Sequence, residues 1–322
     1  MRCFWVRLLQ PAIFVTVTSC TCSWLGKSEV PVRIGLNAWP GYEFLSLAHT
    51  KGFFAEQGVK TELVEFSSLA DARRAMEKNQ IDVLGTTMFE LVLARHNSEA
   101  QLRAFYVVDY SNGGDLVIGA PGVAGMADLR GKKVGVEVGS VSLYALMRGL
   151  SLSGLALADV GIVSVAQETM ASEFGAGAYA AAVTYHPFSL KMLEVAGARV
   201  IFSSQEIPGE IVDVLAASNG FLEQHPKLAR GIVKGFVRAV EYAHTAGTDG
   251  MSIMAAREKI SEQEFRRMLA SDMALVPFDE QAAQYFKSGK LQDLAHRVEK
   301  ALADAGQNRS SGRLEQIAQW MF

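Results

Sequence analysis

From Val32 onward, short runs of alternating or continuous apolar residues take turns with stretches of helical spacing. Val32–Leu36 alternates as a strand, and residues 37–42 (Asn-Ala-Trp-Pro-Gly-Tyr) read as a loop. Leu45, Leu47, Ala48 and Phe53-Phe54 suit a helix that closes near Gly52 and Gly58. A strand over residues 60–66 follows. Ser67-Ser68 then caps a helix over 69–78, whose buried stripe is Ala72, Ala75 and Met76. A third short strand, 81–85, leads through Thr86-Thr87 into a helix reaching Ala94.

The same rhythm restarts near Asp115. Strands are expected over 116–118, 132–136, 160–165, 179–183 and 198–202, with a helix opening at Gly139-Ser140 and running to Leu152. After an apolar run over 211–217 the spacing is helical, in segments 228–243, 262–270, 280–286, 291–303 and 314–321 and around Phe221-Leu222. Strands separated by single helices imply βαβ units and parallel sheets, whose right-handed crossovers gather the loops at the strand carboxyl ends on one edge. The expectation is an α/β protein of two doubly wound lobes. The first lobe comprises residues 30–115 and 212–322 and the second 116–211, with two strands crossing between them near 116–119 and 211–217. The 322 residues exceed one ordinary core, which agrees with two lobes.

The first residues differ. A basic start at Arg2 and Arg7 and an apolar run over 8–17 end in Val17-Thr18-Ser19-Cys20, so residues 1–22 read as an export signal. Val-Thr-Ser-Cys resembles the bacterial lipobox, which makes Cys20 the candidate lipidation site and a membrane anchor the expectation. The other reading is an ordinary signal cleaved nearby. The three cysteines are Cys3, Cys20 and Cys22, so the rest of the chain has no thiolate metal site, disulfide framework or Cys nucleophile. Net charge is −3 with the signs interspersed, and there is no basic stripe, so nucleic acid is not an expected partner.

Four motifs occur in order: Trp39-x-Gly41-Tyr42; Lys51-Gly52-Phe53-Phe54-x-x-x-Gly58-Val59; Ile81-Asp82-Val83; and Asp128-Leu129-x-Gly131-Lys132-Lys133-Val134-Gly135-Val136. Together they resemble the nitrate/sulfonate/taurine group of ABC-transporter solute-binding proteins, which also includes binders of thiamine-pyrimidine precursors. The similarity covers roughly residues 32–286. It implies a type II periplasmic-binding-protein fold that closes by a hinge on one small solute, with an ABC permease and ATPase as partners, a monomeric state, no cofactor and no catalytic residue.

Candidate ligand contacts follow from the loops at the expected cleft. Trp39 and Tyr42 offer an aromatic wall and a hydroxyl; Trp39 could equally plug a core. Thr86 and Thr87 stand where a helix N-terminus presents free N–H groups, as ligand donors or as plain N-caps. Asn112 lies in a polar turn before the expected crossing, and Tyr185 follows the strand ending at Thr184. Ser140 and Ser142 open the main helix of the second lobe, placed to grip an oxyanion. The segment Gly135-x-Glu137-x-Gly139 fails the dinucleotide fingerprint. Glu210 could pair with a ligand ammonium or be solvated. Asp109, Asp115, Glu206, Glu210 and Asp213 near the crossings make a zwitterionic or amine-bearing solute a better expectation than a bare anion. A sensor signalling to a membrane receptor is the alternative. A thiamine-pyrimidine synthase-like enzyme is a weaker one, since that activity is tied to a Cys-rich segment and a His, and the chain after Cys22 has no Cys.

Overall fold

The computed structural model describes residues 30–98, 100–306 and 314–322. The expected export signal over residues 1–22, with Cys20, lies outside the described residues. The strands in chain order are β1 (Val32–Leu36), β2 (Thr61–Glu65), β3 (Val83–Thr87), β4 (Leu102–Ser111), β5 (Asp115–Gly119), β6 (Lys133–Val136), β7 (Gly161–Ser164), β8 (Ala181–Tyr185), β9 (Arg199–Ser203), β10 (Val212–Ser218) and β11 (Met273–Leu275). The helices are α1 (Glu43–Thr50), α2 (Phe53–Glu56), α3 (Leu69–Glu77), α4 (Met88–Asn97), α5 (Val141–Leu152), α6 (Gln167–Gly175), α7 (Ser189–Leu193), α8 (Asn219–Gln224), α9 (Pro226–His244), α10 (Gly250–Glu258), α11 (Glu262–Ser271) and α12 (Lys290–Asp304). None of the described helices is long and apolar enough to cross a membrane.

Two mixed sheets result. The first has the order β11-β4-β10-β3-β1-β2 and the second β7-β6-β8-β5-β9. The β1–β2, β1–β3, β6–β7 and β6–β8 pairs are parallel, as the βαβ reading requires. The strands of the returning chain, β10 in the first sheet and β5 in the second, are antiparallel to their neighbours. Neither of these two strands passes between sheets. The crossings are made by residues 112–114 and by the segment from Ser204 to Ile211, while β5 and β10 each pair within one sheet.

Several elements depart from the sequence reading, among them α6, α7 and β11, which no expected segment covered. β4 was not anticipated: it is a central strand buried on both faces, so its residues do not alternate. α10 also lacked a readable stripe. The helix expected over 314–321 does not form. Its backbone instead pairs beside β4, with the Ala104 N–H donating to the Ile317 carbonyl at 2.9 Å and the Gln319 N–H to the Ala104 carbonyl at 2.8 Å. The buried Arg95 guanidinium fixes that tail by donating to the carbonyls of Glu315 (2.7 Å) and Gln316 (3.2 Å). Over residues 280–286, Ala282–Phe286 forms one wide π-type turn.

Candidate functional site

The strand ends of both sheets face each other around a small void. Asn37, Trp39 and Tyr42 reach it from the loop after β1, Thr87 from the end of β3 and Leu69 from the start of α3. Ile211 and Asp213 come from the start of β10. The second sheet contributes Asp115 from β5, Val141 from α5 and Tyr185 from the end of β8. The void measures about 10 Å³, room for a single water molecule. Beside it lies a chamber of about 340 Å³, lined among others by Glu43, Phe66, Glu168, Phe188 and Glu258. Asn37 borders both spaces.

Aromatic packing shapes the inner end. The Trp39 and Tyr185 rings meet edge-on, 6.3 Å apart at 70°, and Trp39 Nε1–H donates to Asp109 Oδ2 at 3.2 Å. Tyr185 Oη accepts from Asn37 Nδ2 at 3.3 Å, and the Tyr42 hydroxyl donates to Asp213 Oδ1. Two glycines make the approach possible. A Cβ at Gly41 would sit 2.0 Å from Asp109 Oδ2, and one at Gly114 would sit 2.6 Å from the Trp39 ring.

Carboxylates dominate the electrostatics. Asp213 is the register partner of Asp109 on β4 and of Thr87 on β3, so the three stand in one row across the sheet. Asp109 and Asp213 are both buried, and both are pushed above the ordinary carboxylate range. Burial is the largest cause for each; for Asp213 the neighbouring Asp109 charge comes next. Burial likewise raises Asp115 to about 6, partly offset by its Ser111 hydrogen bond. No Lys or Arg is among the residues lining the void. The buried Arg73 is committed to Glu77, and His186 sits 2.9 Å from Asp272.

Three helix N-termini converge here, and each is already satisfied by the chain's own acceptors. α4 is closed by a capping box: Thr87 Oγ1 accepts from the Phe89 N–H at 3.0 Å while Glu90 accepts from the Thr87 N–H at 3.3 Å. Glu90 then reaches over to the second sheet's main helix and accepts from the Val141 N–H at 2.6 Å. Glu137, which follows β6, returns the gesture by accepting from the Ala70 N–H of α3 at 3.2 Å. Burial raises both Glu90 and Glu137 to about 7.

The sequence candidates therefore fall into two groups. Trp39, Tyr42, Thr87 and Tyr185 meet at the void. Thr86 is fully buried next to Thr87, and its Oγ1 has no partner among the described residues. Ser140 and Ser142 do not line the void: Ser140 Oγ caps α5 and donates to the Glu137 carbonyl at 2.9 Å, and Ser142 Oγ accepts from Gln167 Nε2 at 3.3 Å. Asn112 serves the crossing turn, its N–H donating to the Asp272 carbonyl at 2.9 Å. Glu210 is held by Arg148 Nε and the Tyr144 hydroxyl, each at 2.7 Å, away from the void. Sequence reasoning missed Asn37, Glu90 and Glu137 as site residues. The Thr87-x-x-Glu90 capping pattern was visible; that Glu90 also bridges to another helix was not.

The two mixed sheets and the facing strand ends define the periplasmic-binding-protein fold, and solved structures agree. The alkanesulfonate-binding protein SsuA from Xanthomonas axonopodis pv. citri, bound to MOPS, superposes with a TM-score of 0.75 at 16% identity, covering 90% of this chain and 98% of its own. The aliphatic sulphonate-binding SsuA of Escherichia coli gives 0.68 at 18% identity, over 87% and 92%. The desulfurization enzyme DszB shares the fold as well, with a TM-score of 0.64 at 16% identity over 89% and 96%. Residues 26–258 match the NMT1-like family, and the chain belongs to that family. A Brucella abortus relative that carries only the provisional name of a binding protein is 24% identical over 243 residues, 73% of either chain.

Proposed function

We propose that this protein is the extracytoplasmic solute-binding component of an ABC importer. It captures one small solute between two lobes, residues 30–115 with 212–322 and residues 116–211, and presents the closed form to a membrane permease served by a separate ATPase. The observation that carries this reading is the ring of side chains at the void, drawn from both sheets, with Trp39 and Tyr42 facing Tyr185 and Asp115. A solute touching both lobes favours closure by its differential affinity for the closed state. The void holds one water, so a larger solute enters only when the lobes part, and the adjoining chamber of about 340 Å³ is the size of a small-molecule site. The family membership and the sulfonate-binding neighbours support capture over catalysis. The Val17-Thr18-Ser19-Cys20 run supports export with Cys20 as a lipid anchor.

Small-angle scattering of the mature protein tests the closure step, with sulfonates, nitrate, pyrimidines, amino acids and amines as trial solutes. At least one of them shrinks the radius of gyration. Tight binding with an unchanged radius would overturn the mechanism.

A further inference from the structure

Although its fold neighbours include sulfonate binders, this cleft is built against an anion. The chain places its own carboxylates on the two helix N-termini that face across it, Glu90 on α5 and Glu137 on α3. An anionic solute would have to displace one of them and then sit beside Asp115 and Asp213, with no Lys or Arg lining the void.

Buried side-chain atoms left without a partner among the described residues include the Arg73 Nε and Thr86 hydroxyl donors, but the one that borders the void is an acceptor, Asn37 Oδ1. Asn37 is 3% exposed and borders the void; its amide nitrogen is already spent on the Ala38 carbonyl and Tyr185 Oη. A buried acceptor left unmade is costly, so a solute that supplies N–H donors gains where one supplying acceptors loses. The adjoining chamber repeats the theme. Glu258, 7% exposed, lines it beside Glu43, Arg257 there is tied to Glu43 and Glu65, and Lys259, the other cation of the lining, is exposed. Among the described residues, no three His, Cys, Asp or Glu side chains are arranged to hold a metal ion, which favours an organic cation.

We infer that the captured solute is an organic cation, whose ammonium or amidinium N–H groups bond to Asp213, Asp115 and Asn37 while its carbon skeleton extends past Asn37 into the chamber bordered by Phe66 and Phe188. This rests on the reading of the interlobe cleft as a solute site. The cation supplies the positive charge that the carboxylates lack, and on its arrival they give up the protons that burial has led them to hold.

The test is a melting-temperature and calorimetric series at pH 8 on the mature protein. Its probes are benzamidine, benzylamine and a matched trio of ethylamine, taurine and ethanesulfonate, with sodium nitrate and calcium chloride. Benzamidine or benzylamine raises the melting temperature, ethanesulfonate and nitrate do not, and Asp213→Asn weakens the cation's affinity by about 100-fold. Asp115→Asn is the companion variant should Asp213→Asn fold poorly, with a loss in the same direction. The inference is overturned if ethanesulfonate or nitrate binds and the amines do not, if calcium alone reproduces the shift, if no probe of either sign binds, or if both variants keep wild-type affinity. The first of these outcomes would leave the solute-binding reading standing, because an anion caught in the same cleft is still a captured solute. That reading fails separately, on the scattering experiment.

Discussion

Gly41 has no side chain, and Asp109 occupies the space one would need. Since an added Cβ would lie 2.0 Å from Asp109 Oδ2 and 2.8 Å from the Met273 methyl group, Gly41→Ala forces the carboxylate or the loop to move. A loss of about 2 kcal/mol is expected in urea unfolding, the usual scale of overpacking. Trp39 invites a gentler test. Trp39→Phe keeps an aromatic ring against Tyr185 but removes the Nε1–H that donates to Asp109, which leaves a buried carboxyl underpaired and costs about 1–3 kcal/mol. Ser140 changes meaning at this scale. The sequence marks it as an oxyanion contact, whereas its hydroxyl is spent on capping α5, so Ser140→Ala should cost about 1 kcal/mol of stability and leave cation affinity nearly intact. Trp39 and Tyr42 were legible because a loop after a first strand projects into a cleft. Asn37 stands in the same loop, but an amide there reads equally as ordinary turn chemistry.

At the scale of elements, the reciprocal carboxylates link α4 to α5 and the end of β6 to α3. Glu90 serves two helices: it completes the capping box of α4 and fills the N-terminus of α5. Glu90→Ala should therefore free the Val141 N–H and the positive end of the α5 dipole. Sulfate should then raise the melting temperature of the variant, where the wild type shows no such rise. A variant as indifferent to sulfate as the wild type would show that Glu90 does not occupy an anion position. The parallel core strands and their helices were readable because their apolar runs have the length and spacing of βαβ units. β4 was not, because a strand covered on both faces loses its alternation. The segment 314–321 has helical spacing yet runs extended, because Arg95 and the free edge of β4 claim its carbonyls and N–H groups.

For the whole molecule, folding gathers carboxyl groups that water would otherwise keep ionised. Burial pushes Glu90 and Glu137 up to about 7 and Asp115 to about 6, above the ordinary value of about 4. A raised value means that the folded state binds more protons than the unfolded one between those limits. Its stabilisation is therefore complete below about pH 4 and is lost as the pH rises through 6 and 7. Arg73 eases Glu90 and His186 eases Asp115, but burial outweighs both. Asp82, Asp272 and Glu210 are held below the ordinary range by their cationic and hydrogen-bonding partners and act oppositely, only at more acidic pH. Without solute, the melting temperature should fall and the scattering radius grow from pH 5 to pH 8, and Glu90→Gln should flatten both trends. By itself the sequence determined the α/β class, the two-sheet plan, the aromatic loop after β1 and the acidic character near the crossings, because these follow from local periodicity and from residue types in short loops. Only the tertiary structure decided which acids meet, that helix N-termini expected to hold an anion are filled from across the cleft, and that Glu210 is neutralised elsewhere. Those outcomes depend on residues tens of positions apart reaching the same few ångströms, which no spacing along the chain encodes.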